Sequence, residues 1–204
     1  PAQKIKFETS VISNSVALHP IIFDVQKDGV DDIVVVDKYV DEKGDDGKNI
    51  KTVCWISGSE MAKKNLIYEV NYRSCDMAAA DIDNDGFTDI IGRYDTDMND
   101  VNDTGGLFWL TNPYGSKKYD GKPWLYTEIG YSSYAKDICT SDFNRDGKID
   151  IVSRGADHKL YIYIQVSPKK WDLIRFDVPG HDGTDIGDIN KDGIPDIAIN
   201  GLWI

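Results

Sequence analysis

The sequence predicts an all-β protein assembled from repeated four-stranded units, and three observations carry that expectation. A nine-residue acidic template occurs four times in the 204 residues. Short β-branched runs flank every copy, and an aromatic run follows each of them downstream. A recurring segment of this kind decides the architecture before any local assignment does.

The four copies are Asp24–Asp32, Asp81–Asp89, Asp142–Asp150 and Asp188–Asp196. All fit D-x-[D/N]-x-D-G-x-x-D except at Gln26, which takes the third position of the first copy. Their starts lie 57, 61 and 46 residues apart, the irregular period of one structural unit whose connections vary in length. After each copy comes a run too short for a helix: Ile33–Val36, Ile90–Ile91, Ile151–Val152 and Ile197–Ile199. Another short run precedes each copy. The aromatic strand follows, as Val53–Ile56, Leu107–Leu110, Leu160–Tyr163 and a shortened Leu202–Ile204. One more strand per unit is expected at Ile5–Thr9, Leu66–Val70, Trp124–Ile129 and Trp171–Phe176. Four-stranded units at this spacing are the size of propeller blades, which bury their faces against neighbours. The expectation is a single β-propeller domain over residues 1–204, holding three blades and part of a fourth, about half a ring.

The template reads as a cation loop. Oxygen-bearing side chains at positions one, three and five, a glycine for the sharp bend at six and a main-chain carbonyl at seven suit Ca²⁺, a hard ion that prefers 6–8 oxygens. An EF-hand would need a bidentate Glu at position twelve, where this chain has Val35, Gly92, Ser153 and Ile199. The fourth side-chain ligand is instead the Asp at position nine. The expected ligands are Asp81, Asp83, Asp85, Phe87 and Asp89; Asp142, Asn144, Asp146, Lys148 and Asp150; and Asp188, Asn190, Asp192, Ile194 and Asp196, with Phe87, Lys148 and Ile194 acting through their carbonyls. The first loop, Asp24, Gln26, Asp28, Val30 and Asp32, is weaker because a neutral amide replaces an acid. The alternative is an Asp/Gly turn without metal. It accounts poorly for three or four acids crowded into nine residues, which repel one another unless a cation offsets them.

Loop and strand pattern together resemble the FG-GAP/VCBS-type repeats of integrin-like and secreted bacterial propellers, and the resemblance covers nearly the whole chain. It implies a calcium-binding propeller, commonly of seven blades, with the ligands at the five loop positions given above. Lectins, adhesion modules and propeller domains of polysaccharide lyases share this repeat, so it selects no single activity. The remaining blades would come from the same or another chain.

Composition narrows the partners. A formal net charge of −12 argues against nucleic-acid phosphates and anionic membranes, and no apolar run approaches a membrane span. Cys54, Cys75 and Cys139 match neither a disulfide framework nor a zinc pattern and read as small buried hydrophobes. Two long acidic loops, Asp41–Asn49 and Asp95–Asp103, join corresponding strands and so project from one face. Arg93 and Arg154 share a register with Asn200. They form either a polar ring for acidic sugars or ion pairs with neighbouring acids. Asp76 and Asp137 each stand five residues before a loop, as outer-shell acids or as strand caps. Of the aromatic residues Trp109, Tyr114, Trp124, Tyr126 and Tyr134, most are expected in the blade core, although such rings also stack on sugars.

Two functions from different classes follow. One is a secreted, calcium-stabilised module, extracellular or periplasmic, that binds glycan or protein through loops on one face. The other is the propeller domain of a polysaccharide lyase or glycoside hydrolase. In that case His181 beside Asp182, Tyr131, Tyr134 or an Arg would serve in a central funnel, His181 as base, the other reading of His181 being a structural role. No G-x-S-x-G, H-E-x-x-H or P-loop pattern is present, which favours the binding module.

Overall fold

The computed structural model describes residues 8–9, 11, 17–38, 51–60, 63–70, 76–94, 105–115, 119–133, 135–180 and 183–204. Among these there is no α-helix, and no helix long and apolar enough to cross a membrane. Four antiparallel sheets follow one another along the chain. The first comprises β1 (Ala17–Phe23), β2 (Asp32–Lys38), β3 (Lys51–Ile56) and β4 (Lys64–Val70). The second holds β5 (Met77–Ala80), β6 (Asp89–Tyr94), β7 (Gly106–Thr111) and β8 (Leu125–Tyr131). In the third are β9 (Ala135–Ser141), β10 (Asp150–Gly155), β11 (Lys159–Ser167) and β12 (Lys170–Asp177). The fourth has β13 (Thr184–Gly187), β14 (Asp196–Ile199) and β15 (Leu202–Trp203). Within every sheet, spatial order equals chain order.

The strand that the sequence places upstream of each loop pairs with the aromatic strand before it: β4 with β3, β8 with β7, β12 with β11. It therefore completes the preceding sheet. Residues 5–7 of the expected strand Ile5–Thr9 lie outside the described residues, and Glu8 and Thr9 are not in a strand.

Middle strands are buried on both faces, which is why they read as unbroken apolar runs rather than as alternation. In β6, Ile90 enters the core shared with the first sheet and Ile91 the core shared with the third. In β7, Phe108 and Leu110 go one way while Leu107 and Trp109 go the other. In β10, Ile151 packs toward the second sheet and Val152 toward the fourth. The two-residue period of a strand thus sends alternate side chains into successive interfaces. Trp55, Trp109 and Trp124 are all buried, as the core reading of the aromatic residues requires. First strands also meet their counterparts, β1 with β5, β5 with β9 and β9 with β13. The four sheets are therefore stacked in order, edge strands aligned.

Two kinds of hydrogen bond recur between successive sheets. The residue that ends the third strand's run carries a side-chain amide: Asn112 Nδ2 donates to the Val25 carbonyl at 2.9 Å, and Gln165 Nε2 to the Ile82 carbonyl at 2.8 Å. Both acceptors are the second residue of the preceding sheet's acidic loop. With the same polarity, at the first strands, the Ile138 amide donates to Asp76 at 2.7 Å, and the amides of Gly183 and Thr184 to Asp137 at 2.9 and 3.1 Å. Asp76 and Asp137 are thus inter-sheet acceptors, closer to the capping reading than to the outer-shell one.

Candidate metal centre

All four acidic loops occupy the same topological place, the hairpin between the first and second strands of a sheet. Their backbones match: the fourth residue of each is left-handed (Lys27, Asn84, Arg145 and Lys191, φ 56–63°), and the sixth is glycine at φ 81–89°. A bulky residue at that glycine would be strained, which accounts for its recurrence.

The side-chain oxygens organise this turn. The first Asp accepts the amides of positions five and six: Asp24 from Asp28 and Gly29, Asp81 from Asp85 and Gly86, Asp142 from Asp146 and Gly147, Asp188 from Asp192 and Gly193, all at 2.7–3.1 Å. The fifth Asp accepts the amide of position seven, that is Val30, Phe87, Lys148 and Ile194. At position three, Asp83, Asn144 and Asn190 accept the amide of position five.

Position nine has a second duty that sequence reasoning missed. Asp32, Asp89 and Asp150 are fully buried, and each holds two amides, one from the loop's second residue and one from a residue at or near the end of the third strand. Asp89 takes Ile82 at 3.0 Å and Asn112 at 2.7 Å; Asp32 takes Val25 and Gly58; Asp150 takes Phe143 and Gln165. Asp196 holds the loop amides of Ile189 and Asn190. The carboxylate ties the loop to its sheet, whether or not an ion is near. Recurrence of an acid one residue before each apolar run was the available signal.

The second loop gathers charge most tightly. Ligand oxygens of Asp81, Asp83 and Asp89 all lie within 4.8 Å of one another. Burial, and then the charge of Asp85, raises the Asp83 carboxyl above its ordinary range, while burial pushes Asp89 up to about 8 against the pull of its two amides. Carboxyls forced upward by burial and by each other are a donor set that a hard cation would relieve. The residues present therefore fit Ca²⁺ at this loop. In the third loop Lys148 Nζ sits 2.6 Å from Asp146 and lowers its pKa, and in the fourth Asn190 Nδ2 donates to Asp192 at 2.9 Å. There a side-chain donor takes the place at position five that a cation would otherwise hold. Position three of the first loop differs: Gln26 Oε1 accepts from the Tyr114 hydroxyl at 3.3 Å, across the boundary to the second sheet.

Neighbouring loops touch. Lys27 Nζ lies 4.8 Å from the centroid of the Phe87 ring, Asn84 Nδ2 donates to the Gly147 carbonyl at 3.1 Å, and Arg145 to the Asp192 carbonyl at 2.8 Å. The left-handed fourth residues of the first three loops thus each reach the loop that follows. The template leaves that position free, so only packing reveals its partner.

Other expected residues fall elsewhere. Arg93 and Arg154 are fully buried, and Arg154 joins Asn200 on the Pro179 carbonyl, so neither guanidinium lines an open anion-binding surface. Cys54 is buried and Cys139 partly so, and burial chiefly pushes the Cys139 thiol up to about 11. His181, Asp182, Tyr134, Cys75 and the acidic loops Asp41–Asn49 and Asp95–Asp103 lie outside the described residues. His158 occupies the β10–β11 turn, and His19 lies in β1.

An all-β repeat protein with an acidic hairpin loop in every sheet is the class that fold and site define. Residues 142–199, which contain the third and fourth loops, match the FG-GAP-like repeat that the loop and strand pattern resembles. No curated protein matches the sequence significantly. Among solved structures, the fold is similar to the crystal structure of the V. cholerae biofilm matrix protein Bap1, with a TM-score of 0.53 and 23% identity. The match covers 97% of this chain and 31% of that one, so this chain spans about a third of its length.

Proposed function

We propose that this chain is a calcium-stabilised module of an extracellular protein, with its four sheets serving as consecutive blades of a β-propeller. The observation that carries the reading is the convergence of Asp81, Asp83 and Asp89 in one of four loops that share a single backbone conformation. Bound Ca²⁺ would supply positive charge that offsets the crowded carboxylates. Asp81, Asp83, Asp85, the Phe87 carbonyl and Asp89 would hold it, and Asp142–Asp150 and Asp188–Asp196 would do so once Lys148 Nζ and Asn190 Nδ2 give up their bonds to the position-five acid. Asp24–Asp32 is the poorest set, since Gln26 is engaged elsewhere.

The stacking of sheets supports the blade reading, and so does the outer face of the fourth. Ile189 is 49% exposed, whereas Val25 and Ile82 at the same loop position are covered by the following sheet. A further blade, from the same or another chain, would cover it. Acidic repeats of this kind meet millimolar calcium outside the cell, which suits weak sites of this type. The likeness to a biofilm matrix protein fits that setting. Glycan or protein would bind through the loops at the acidic-loop end, where the β3–β4 and β7–β8 connections also emerge.

A thermal melt with calcium and with chelator, read beside metal content, tests this. Each site that binds only the native state adds roughly 2.7 kcal/mol at one hundred times its dissociation constant. A calcium-dependent rise in Tm with bound ions at the second to fourth loops is expected; no rise and no metal would leave the loops as turns.

A further inference from the structure

We infer that the cleft between the first and second sheets, at the acidic-loop end, binds a neutral saccharide. This rests on the reading above only in naming that end as the ligand-binding one. The cleft has a volume of about 660 Å³, within the ~300–1,000 Å³ of small-ligand sites. Its walls come from both sheets: Gln26 and Asp28 from the first acidic loop, Trp55 from β3, and Tyr114 and Tyr119 from the β7–β8 connection.

The aromatic pair is held in place before any ligand arrives. Tyr114 and Tyr119 lie 5.6 Å apart between ring centroids, at 34°. Tyr119 anchors its hydroxyl on the Leu66 carbonyl at 2.8 Å, and the Tyr114 amide is fixed by the Asn112 side chain at 3.0 Å. Burial raises both phenols, so both stay neutral at ordinary pH. Rings fixed in this way offer a surface for the C–H face of a sugar at little entropic cost.

Polar groups surround the rings. Ser57 and Ser59 share a hydrogen bond at 2.9 Å beside the cleft, and Asn65 adds a side-chain amide. Two acids, Asp28 and Glu60, are matched by two bases, Lys63 and Lys64. A wall whose lining charges balance, rich in hydroxyls and amides, in a chain of net charge −12, suits a hydroxylated neutral ligand better than an anionic one.

Gln26 ties the first loop to this cleft. In the other three loops the third residue turns inward and accepts the amide of position five. Gln26 is longer by a methylene than Asn, and its carbonyl turns instead to the Tyr114 hydroxyl. The residue that breaks the cation template is the one that joins the cleft wall to the aromatic pair.

Saturation-transfer NMR with cellotriose, maltotriose and mannotriose as probes tests the inference, using Tyr114→Ala and Gln26→Ala beside the unmodified chain, all in calcium. Transfer to sugar ring C–H protons from at least one probe, weakened tenfold or more in both variants while their melts stay native, is the expected result. Gln26→Ala, on a partly exposed loop, keeps the test alive should Tyr114→Ala misfold. Absence of transfer from all three, or transfer unchanged in the variants, would overturn the inference. Stronger transfer to trigalacturonate would overturn the neutral assignment. A calcium-dependent melt that persists through any of these failures separates them from failure of the calcium reading.

Discussion

The Asp76 carboxylate accepts the Ile138 amide at 2.7 Å, joining the entry of the second sheet to the first strand of the third across 62 residues of chain. Asp137 repeats the arrangement onto the fourth sheet through Gly183 and Thr184. Two equivalent carboxylates in one register make this a property of the repeat rather than of one contact.

Removing the acceptor leaves an inter-sheet amide without its charged partner. Asp76→Ala is expected to lower stability by about 1.5–3 kcal/mol in urea melts, the range for hydrogen bonds to charged groups, and Asp76→Asn by less. Bound-calcium stoichiometry should stay the same in both, because Asp76 is no loop ligand. A drop in stoichiometry would assign it to the metal site instead.

Asp83 and Asp89 separate two kinds of acid in one loop. Asp83→Asn keeps an oxygen for the Asp85 amide and removes a charge that burial and Asp85 disfavour, so in chelator its melt should equal or exceed the parent's, while one calcium is lost or weakened at least tenfold. Asp89→Asn places an amide group against two buried amide donors and is expected to cost about 1–3 kcal/mol even in chelator. Equal losses in chelator would show that the two carboxylates share one role.

Gly115 controls the room around Asp85. A Cβ there would fall 1.6 Å from the Asp85 carboxylate, so Gly115→Ala must push that side chain aside. Weaker calcium binding at the second loop, by tenfold or more, is expected with little change in the chelator melt. Calorimetric titration reads the first quantity and thermal unfolding the second.

The pH dependence has a definite sign. Burial raises Asp89 from an ordinary 3.8 to about 8, and Asp32, Asp83 and Asp150 move the same way. A carboxyl whose folded pKa is the higher binds its proton more tightly in the native state. Its stabilising contribution is full below the ordinary value and is lost as pH rises through the folded one. The downward shifts of Asp120, Asp146, Asp177 and Asp192 oppose this only weakly, because those groups are exposed to solvent. In chelator, Tm should therefore fall between about pH 5 and pH 8, and calcium should flatten that slope by favouring the ionised carboxylates. A Tm that rises over the same range in chelator would contradict it.

Much of this was legible in the residues. Asp, Gly and the left-handed fourth position act within nine residues, so their turn is local chemistry and recurs wherever the template does. The runs Ile33–Val36 and Ile90–Ile91 announced strands because β-branched residues too few for a helix have little alternative. What they could not announce was direction: Ile90 and Ile91 enter different cores only because a sheet lies on each side. The buried fate of Arg93 and Arg154 was equally hidden, since register alone does not say whether a shared position faces solvent or a neighbouring sheet.

By itself, then, the sequence determined the all-β repeat, the loop conformation and the oxygen donors, because each depends on neighbours a few residues away. Tertiary structure alone decided that position-nine acids tie loop to sheet, that Asn112 and Gln165 reach back to the preceding loop, and that Gln26 turns to Tyr114. Those partners lie 83 to 88 residues apart, and contacts at that range exist only once the sheets have stacked.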